Sequence, residues 1–543
     1  MKHRAIKRRN VVIGLGATAG AAAIGGLSLN ASASTDGSTG NGDDSLVFDP
    51  AAYTKLTTTV TDTQGTEHAV TYHFWKAITY VSRPVDATYQ SLNVSVPVEI
   101  DGTAVDASNA PILFANSVGG YMPSSVANAT GVGGASMGGG AGGGAPSGAP
   151  TASPSASAPG ANGNTNATGG AMNTNQLLAL AAGYVVVEPG ARGRGLKNSA
   201  GEYYGSAPAV IVDLKAAVRY VRSNKGRIPG DVDRIVSAGT SAGGAVSALL
   251  GASGDSPIYD RYLKEIGAAD ASDAIFAVGA WCPITDLEHA DGAYEWNWGT
   301  NTLSTGKQVD QTVSKDLQAQ FAEYQAKLRL RGLKGSGFGT LTARNYDAYL
   351  LKQYMEPSAT TYLAALTDSE RETYLAKNTF ITWDGEKASF TWADYLTHVG
   401  ARKKTVPAFD AFDLSAGENN EFGSATTANR HFTAYGARND TTGLSTKRVE
   451  SDIPELLHLM NPMYHLVDKV NGKRSRHWWI RLGTNDTDTS HVISANLAAR
   501  AENLGDEVNH RYYWDQGHGA NTDPGDFITW IAAVTGHRKA GKK

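Results

Sequence analysis

Cysteine is almost missing from this 543-residue chain: Cys282 is the only one, so no internal disulfide is possible. Its setting in FAVGAWCP reads as that of a small buried hydrophobe. An excess of basic charge is missing too. The formal net charge is −4, which leaves no electrostatic footprint for a nucleic-acid partner. Aromatic and charged side chains vanish from Ala127 to about Met172, where GVGGASMGGGAGGGAPSGAPTASPSASAPGANGNTNATGG runs on small and polar residues. Such a segment buries too little apolar surface to offset its chain entropy and reads as a disordered surface loop. Loop closure costs free energy only logarithmically in length, so a folded body tolerates it. Sequons at Asn128-Ala129-Thr130 and Asn166-Ala167-Thr168 fall in the same stretch, their use depending on the host.

What is present divides the chain. MKHRAIKRRN is basic, VVIGLGATAGAAAIGGLSL is apolar and rich in Gly and Ala, and Ala31-Ser32-Ala33 is a small-residue cleavage site, the three parts of an export signal over 1–33. Arg8-Arg9 before Asn10-Val11-Val12 resembles a twin-arginine signal, with Lys7 replacing the usual Ser/Thr. A retained membrane anchor is the other reading, since an apolar stretch of this length just reaches across a bilayer. The mature form is expected to be secreted, without a membrane partner. Hydrophobic content of 41% supports a large core. TYHFWKAITYV and LNVSVPVEI are strand-like, and PILFANS is a short buried strand. LLALAAGYVVVEPGARGRG gives a helix end, a buried strand and an Arg/Gly loop. PAVIVDLKAAVRYVRSN has the apolar spacing of an amphipathic helix, and RIVSAGT is the next strand. Strand and helix alternate, which predicts a mostly parallel sheet.

Residues 235–250, IVSAGTSAGGAVSALL, carry a β-branched run into an Ala-rich, helix-forming run with only GTSAG between them. So short a connection must bend sharply, and Gly239 and Gly243 remove Cβ atoms that would collide inside the bend. This is the G-x-S-x-G nucleophile elbow: Ser241 is the candidate nucleophile and the Ala242 N–H a candidate oxyanion donor. A glycine-rich turn with an incidental serine is the plain alternative. Val118-Gly119-Gly120-Tyr121 follows an early strand, where such a fold needs its second oxyanion donor, from Gly119 or Gly120; an ordinary turn is the alternative there. A nucleophilic serine needs a base and an acid to orient that base, and in this fold class they follow the serine in the order acid, histidine. HWWIRLGTNDTD is a strand ending in a loop with two aspartates, of which Asp486 comes first. RYYWDQGHGA is a strand ending in a loop where glycines flank His518. These are the candidate acid and base, although a solvated Asp-x-Asp loop or a calcium loop would account for Asp486 alone. His491, on a following helix, and His510, inside a strand, are weaker candidates for the base. Ser241 and Asp486 lie 245 positions apart, far more than a few strands and helices need. The excess, roughly Asp286 to Asn461, is helix-rich and aromatic and reads as a lid inserted over the elbow.

GTSAGG, the pair Asp486-Thr487-Asp488, QGHG 32 residues after Asp486, and KKTVPAFDAFDLSAGENNEFG together resemble the bacterial tannases, tannin acyl hydrolases that cut galloyl esters. YHFWKAITYVSRPVDATYQSLNVSVPVEI, PGARGRG and PITDLEHADGAYEWNWG add weaker matches. The likeness then covers about Val70 to Ile528 apart from the low-complexity loop. It implies an α/β-hydrolase fold with a mostly parallel central sheet, its core over 34–285 and 462–543 and its lid over 286–461. It also implies a triad of Ser241, Asp486 and His518, the same three residues reached above. The galloyl-ring contacts it implies are Lys404, Glu418 and Asp488, the first two on the lid. Lys403 adjoins Lys404, and the sequence does not choose which one faces the ring. The implied function is an exported serine esterase that releases gallic acid from hydrolysable tannins and simple gallate esters, with a small aromatic ester as partner and no metal or organic cofactor. A feruloyl-type esterase is the neighbouring alternative. An inactive hydrolase-fold module binding polyphenol or carbohydrate is the other, and the intact set of Ser241, Asp486 and His518 argues against it.

Overall fold

The computed structural model describes residues 44–137, 170–468 and 473–537. The expected export signal over 1–33, and positions 138–169 of the expected loop with the sequon at Asn166, lie outside the described residues.

Nine strands form one sheet: β1 (Thr54–Thr61), β2 (Glu67–Thr79), β3 (Ser91–Ile100), β4 (Ile112–Ala115), β5 (Val185–Pro189), β6 (Ile235–Thr240), β7 (Ala277–Trp281), β8 (His477–Gly483) and β9 (Glu507–Tyr513). Their order across the sheet is β1-β2-β3-β5-β4-β6-β7-β8-β9, with the two-residue strand Thr103–Ala104 added beside β3. From β1 to β5 the pairings are antiparallel. From β5 through to β9 every pairing is parallel. The expected mostly parallel sheet is there, with an antiparallel N-terminal edge. That edge follows from short turns: Asp62 Oδ1 accepts from Gln64 N at 2.9 Å and Thr66 N at 2.8 Å, closing a tight connection that returns the chain beside β1. The strands VVVEP, IVSAGT and AVGAW are near-continuous apolar runs, and all their residues but Thr240 are buried, as befits strands covered on both faces.

Helices α1 (Gly170–Ala181), α2 (Ala209–Ser223) and α3 (Ala242–Ala252) lie between the parallel strands in sequence. α2 departs from the amphipathic expectation, because Asp213 and Lys215 are both fully buried within it. Each is paired: Asp213 with Arg192 at 2.8 Å, Lys215 with Asp273 at 2.8 Å. The apolar spacing was real, but charged neighbours from other segments complete the remaining face.

After β7 the chain leaves the sheet and returns only at β8. The insertion holds, among others, helices Leu287–Trp298, Gln311–Leu328, Glu356–Ala365, Trp392–Val399 and Ile453–Met460. No helix among the described residues is long and apolar enough to cross a membrane.

The composition-poor segment from Ala127 to Met172 is narrower as a loop than expected. Ser136–Met137 pairs antiparallel with Ser124–Ser125, and α1 begins at Gly170. Small residues allow this by close approach: a Cβ on Gly131 would stand 2.6 Å from the Tyr72 hydroxyl. Val132 N donates to that hydroxyl at 3.3 Å, and Gly133 N donates to the buried Glu188 carboxylate of β5 at 3.0 Å. Burial pushes the Glu188 carboxyl up to about 7, against the backbone N–H groups of Gly133 and Ala135. A carboxyl raised in the folded chain favours folding while protonated. That contribution is complete below the unfolded value of about 4.3 and is lost as pH rises through about 7. Glu188→Gln cannot ionise and keeps an acceptor for Gly133, so its stability relative to wild type should climb by ~3–4 kcal/mol from acid to mildly alkaline pH. Thermal melts across that range check this, and a difference independent of pH would show that the carboxyl does not titrate there.

Candidate active site

β6 ends at Thr240 and α3 starts at Ala242, so Ser241 is the whole turn between strand and helix. Its backbone sits at φ 61°, ψ −123°, which costs a residue bearing a Cβ on the order of 1–3 kcal/mol. The glycines around it leave the necessary room. A Cβ on Gly239 would stand 2.3 Å from Gly243 O, and one on Gly243 would stand 2.6 Å from Val118 O. Ser241 N donates to Trp281 O at 2.9 Å, and Ala245 N donates to Ser241 O at 2.9 Å. Ala242 is the first residue of α3, so its N–H is one of the helix's unpaired first-turn donors.

The register aligns Thr240 with Trp281, Trp281 with Arg481, and Gly483 with Tyr513. The C-terminal ends of β6, β8 and β9 therefore open on one edge of the sheet, where ligands of such folds bind. The three predicted residues meet there. His518 Nε2 lies 2.8 Å from Ser241 Oγ, and His518 Nδ1 lies 2.8 Å from Asp486 Oδ2. Asp486 is fully buried, and its other oxygen accepts from Asp488 N at 3.0 Å. Burial disfavours the His518 cation, but Asp486 and, after it, Cys282 outweigh burial and hold the imidazole well above its ordinary value. An imidazole fixed between a carboxylate and a hydroxyl is the arrangement that moves a proton off that hydroxyl.

The weaker histidine candidates lie away from Ser241. His491 is buried at the start of helix His491–Asn503 with Nε2 3.1 Å from Thr484 O, and burial pushes its imidazole down to about 4. His510 is buried within β9. Cys282 is buried as expected, yet it is not only a core hydrophobe: its Sγ lies 4.0 Å from His518 Nε2. With Asp486 and His518 it forms a group whose ligand-type atoms lie within 4.8 Å of one another, although both ring nitrogens of His518 are already occupied by Ser241 and Asp486.

The residues implied for ring recognition form two ion pairs. Lys404 Nζ stands 3.9 Å from Glu418 Oε1 and 3.6 Å from the centre of the Phe409 ring. Lys403 Nζ pairs with Asp488 Oδ1 at 2.7 Å. Lys404 is the more enclosed, its side chain 20% exposed against 53% for Lys403. Burial pushes the Asp488 carboxyl up, and His518, Lys403 and Lys404 together hold it below the usual carboxylate value. The backbone behind these lysines is pinned by Arg402, which is buried against Glu295 at 2.8 Å and donates from Nε to Lys404 O at 2.8 Å. Glu418 is held through its neighbour, since Asn419 Nδ2 donates to the buried Asp410 at 2.7 Å. The insertion also grips the acid loop: Tyr294 OH donates to Thr487 O at 2.7 Å and Trp298 Nε1 to Thr489 O at 2.8 Å.

Sequence reasoning gave no role to Arg402, Glu295 and Tyr294, although the last two lie within PITDLEHADGAYEWNWG. It also missed Asn116 at the end of PILFANS, where a lone amide closing an apolar strand was the available signal. Asn116 Nδ2 lies within reach of Ala238 O (3.1 Å), Gly243 O (3.2 Å) and Ser247 Oγ (3.0 Å), while Oδ1 accepts from Val118 N at 3.3 Å. This one buried amide joins the elbow to the loop carrying Gly119 and Gly120. Asn116→Ala leaves those groups without their partner and should cost about 1–3 kcal/mol of stability, with a fall in kcat at unchanged serine content. Denaturant unfolding and esterase assays on the same preparation measure both, and an unaltered kcat would show that the elbow holds its shape alone.

A family model described as BD-FAE, an α/β-hydrolase family, matches residues 160–326. Over 71 residues the chain is 38% identical to Esterase LipC of Mycobacterium tuberculosis, a match that spans 13% of this chain and 17% of that protein. Solved structures match far more widely. A tannin acyl hydrolase in complex with ethyl gallate is 35% identical, covering 91% of this chain and 99% of its own at a TM-score of 0.72. The tannin acyl hydrolase from Lactobacillus plantarum is 34% identical over 91% and 99%, with a TM-score of 0.72. The tannase of Fusobacterium nucleatum is 33% identical over 90% and 99%, with a TM-score of 0.73. Similar in sequence and backbone over nearly the whole length of these relatives, the chain belongs to the tannin acyl hydrolases, the tannase family, and is a carboxylic ester hydrolase with the α/β-hydrolase fold.

Proposed function

We propose that this chain is an exported serine esterase that hydrolyses galloyl esters, with Ser241, His518 and Asp486 as its catalytic triad and the insertion over 286–461 as its lid. The observation that carries the reading is the unbroken line from Ser241 Oγ through both ring nitrogens of His518 to Asp486, at 2.8 Å on each side. His518 Nε2 takes the proton of Ser241 as Oγ attacks the ester carbonyl, while the Nδ1–H stays on Asp486. The Ala242 N–H and one from Gly119 or Gly120 hold the oxyanion. The alcohol departs with the proton from His518, and a water activated by the same nitrogen releases the acid from Ser241. Lys404, Glu418 and Asp488 pair with the ring hydroxyls, in keeping with family members solved with ethyl gallate and with 3,4-dihydroxybenzoate. The basic, acid-free start of the chain and Ala31-Ser32-Ala33 support export.

Two outcomes test the chemistry. Ser241→Ala and His518→Ala should each lower kcat by on the order of 10⁶, and the double variant by no more, because the members act as a unit. More than a few per cent of wild-type kcat in Ser241→Ala would remove the serine from the mechanism. His518 works as a base only when neutral, and its imidazole is raised. The acid limb of kcat/KM should accordingly lie above the ordinary imidazole value, the rate falling as pH drops through it.

The substrate is tested by a panel of methyl esters. Gallate should be the best, protocatechuate, with one hydroxyl fewer, weaker, and ferulate nearly inert. Each buried polar group left unpaired costs about 1–3 kcal/mol. Glu418→Ala should lower kcat/KM for methyl gallate by the corresponding roughly 5- to 150-fold, while Ser241 still reacts with a small acylating probe. Ferulate hydrolysed as fast as gallate would replace this reading with that of a feruloyl-type esterase.

A further inference from the structure

The PGARGRG motif has no part in the chemistry above, yet its residues are tightly constrained. A Cβ on Gly190 would stand 2.8 Å from Ser124 O, and one on Gly193 would stand 2.4 Å from Met122 C and 2.5 Å from Tyr121 O. The loop thus lies directly on the segment that follows Gly119 and Gly120. Arg192 anchors it: Nε and Nη2 donate to the buried Asp213 of α2 at 2.9 and 2.8 Å, and its backbone N–H donates to the same carboxylate at 2.8 Å.

Arg194 projects from this fixed base toward two elements at once. Its N–H donates to Tyr121 O at 2.8 Å and its Nε to Gly120 O at 2.6 Å. Its guanidinium also lies close beside Gly417, where a Cβ would stand 3.0 Å from Nη2 and 3.1 Å from Cζ. Gly417 opens the short helix Gly417–Glu421 that carries Glu418. One turn on, Glu421 is fully buried, both its carboxyl oxygens lacking a hydrogen-bond partner among the described residues. Burial pushes the Glu421 carboxyl well above its ordinary value, and the charge of Arg194 opposes that shift. A guanidinium with its rigid fork of donors can donate to a carbonyl from Nε while its other nitrogens stay beside a residue without a side chain; an ammonium cannot do both.

We infer that Arg194 is a positioning residue that sets the Gly119–Gly120 loop against the Gly417–Glu421 helix, so that one side chain places both the oxyanion donor and the ring-recognising Glu418. The part concerning Glu418 rests on the galloyl-ester reading; the hold on Gly120 does not.

The test uses the full chain with p-nitrophenyl acetate, which has no ring hydroxyls to recognise, and methyl gallate. Misplacing a reacting arrangement by about 1 Å costs on the order of 100-fold. Arg194→Ala should therefore lower kcat on p-nitrophenyl acetate by about 10- to 100-fold and lower kcat/KM on methyl gallate further. Arg194→Lys keeps the charge without the planar donor and should leave kcat about as low as Arg194→Ala does. Gly417→Ala keeps Arg194 while its new Cβ crowds the guanidinium, so it should shift both substrates the same way by a smaller factor. It also carries the test if Arg194→Ala does not fold. Folded Arg194→Ala or Gly417→Ala with wild-type kcat on p-nitrophenyl acetate would overturn the inference. If wild type cleaves p-nitrophenyl acetate but not methyl gallate and the Arg194 effect persists, the galloyl reading fails and the hold on the oxyanion loop stands.

Discussion

The candidate active site depends on a backbone conformation that serine does not favour. At φ 61°, ψ −123° Ser241 presents its hydroxyl at the sheet's edge, with no loop on either side to absorb the strain. The surroundings leave that conformation no easy exit. Gly239 and Gly243 let strand, helix and the Val118 carbonyl close to distances that any side chain would forbid, and Asn116 fastens Ala238, Gly243 and Val118 together. Relaxing Ser241 would break these contacts at once, which is how packed surroundings keep a strained residue in place. Because Asn116 also fixes the start of the Gly119–Gly120 loop, the Ser241 turn and that loop are joined by one buried amide.

The acid side of the site has a different support. Asp486 and Asp488 lie in the loop after β8, and two carbonyls of that loop accept from Tyr294 and Trp298 of the insertion. The same insertion helix carries Glu295, which anchors Arg402 and through it the backbone of Lys404. Helix Leu287–Trp298 therefore holds the acid loop on one side and the lysine segment on the other. An insertion that merely covered the site would not need buried aromatic donors reaching into the loop beneath it.

Much of this was legible in the sequence, for a physical reason. The elbow is a local steric problem, solved by glycines within five residues, so GTSAG shows it without tertiary knowledge. Asp486 and His518 were legible because strand ends in a parallel sheet share one edge, and each is a polar residue just past an apolar run. The supports were not, since Asn116, Arg402 and Tyr294 act on partners remote in sequence. Asp213 and Lys215 misled for the same reason: on a helix wheel they read as a wet face, and only Arg192 and Asp273 make their burial tolerable. Composition alone read the stretch after Ala127 as a loop poor in anchors. It missed that glycine can itself pack when a Tyr72 hydroxyl and a Glu188 carboxylate wait beneath it.

Charge at the site follows from the same arrangement. His518 Nδ1 faces Asp486 at 2.8 Å and Asp488 at 4.0 Å, while Lys403 sits on Asp488 and Lys404 stands beside Glu418. Only Asp486 among the three carboxylates has no lysine, and it is the one whose charge holds the imidazole upright. Under the proposed reading, a neutral trihydroxyphenyl ring brings hydroxyls that both donate and accept, so it enters among these groups without adding charge. The acid released from Ser241 is ionised at neutral pH and places a new anion near Asp486 and Asp488, where like charges disfavour one another. The electrostatics that accept the ester therefore also favour departure of the product.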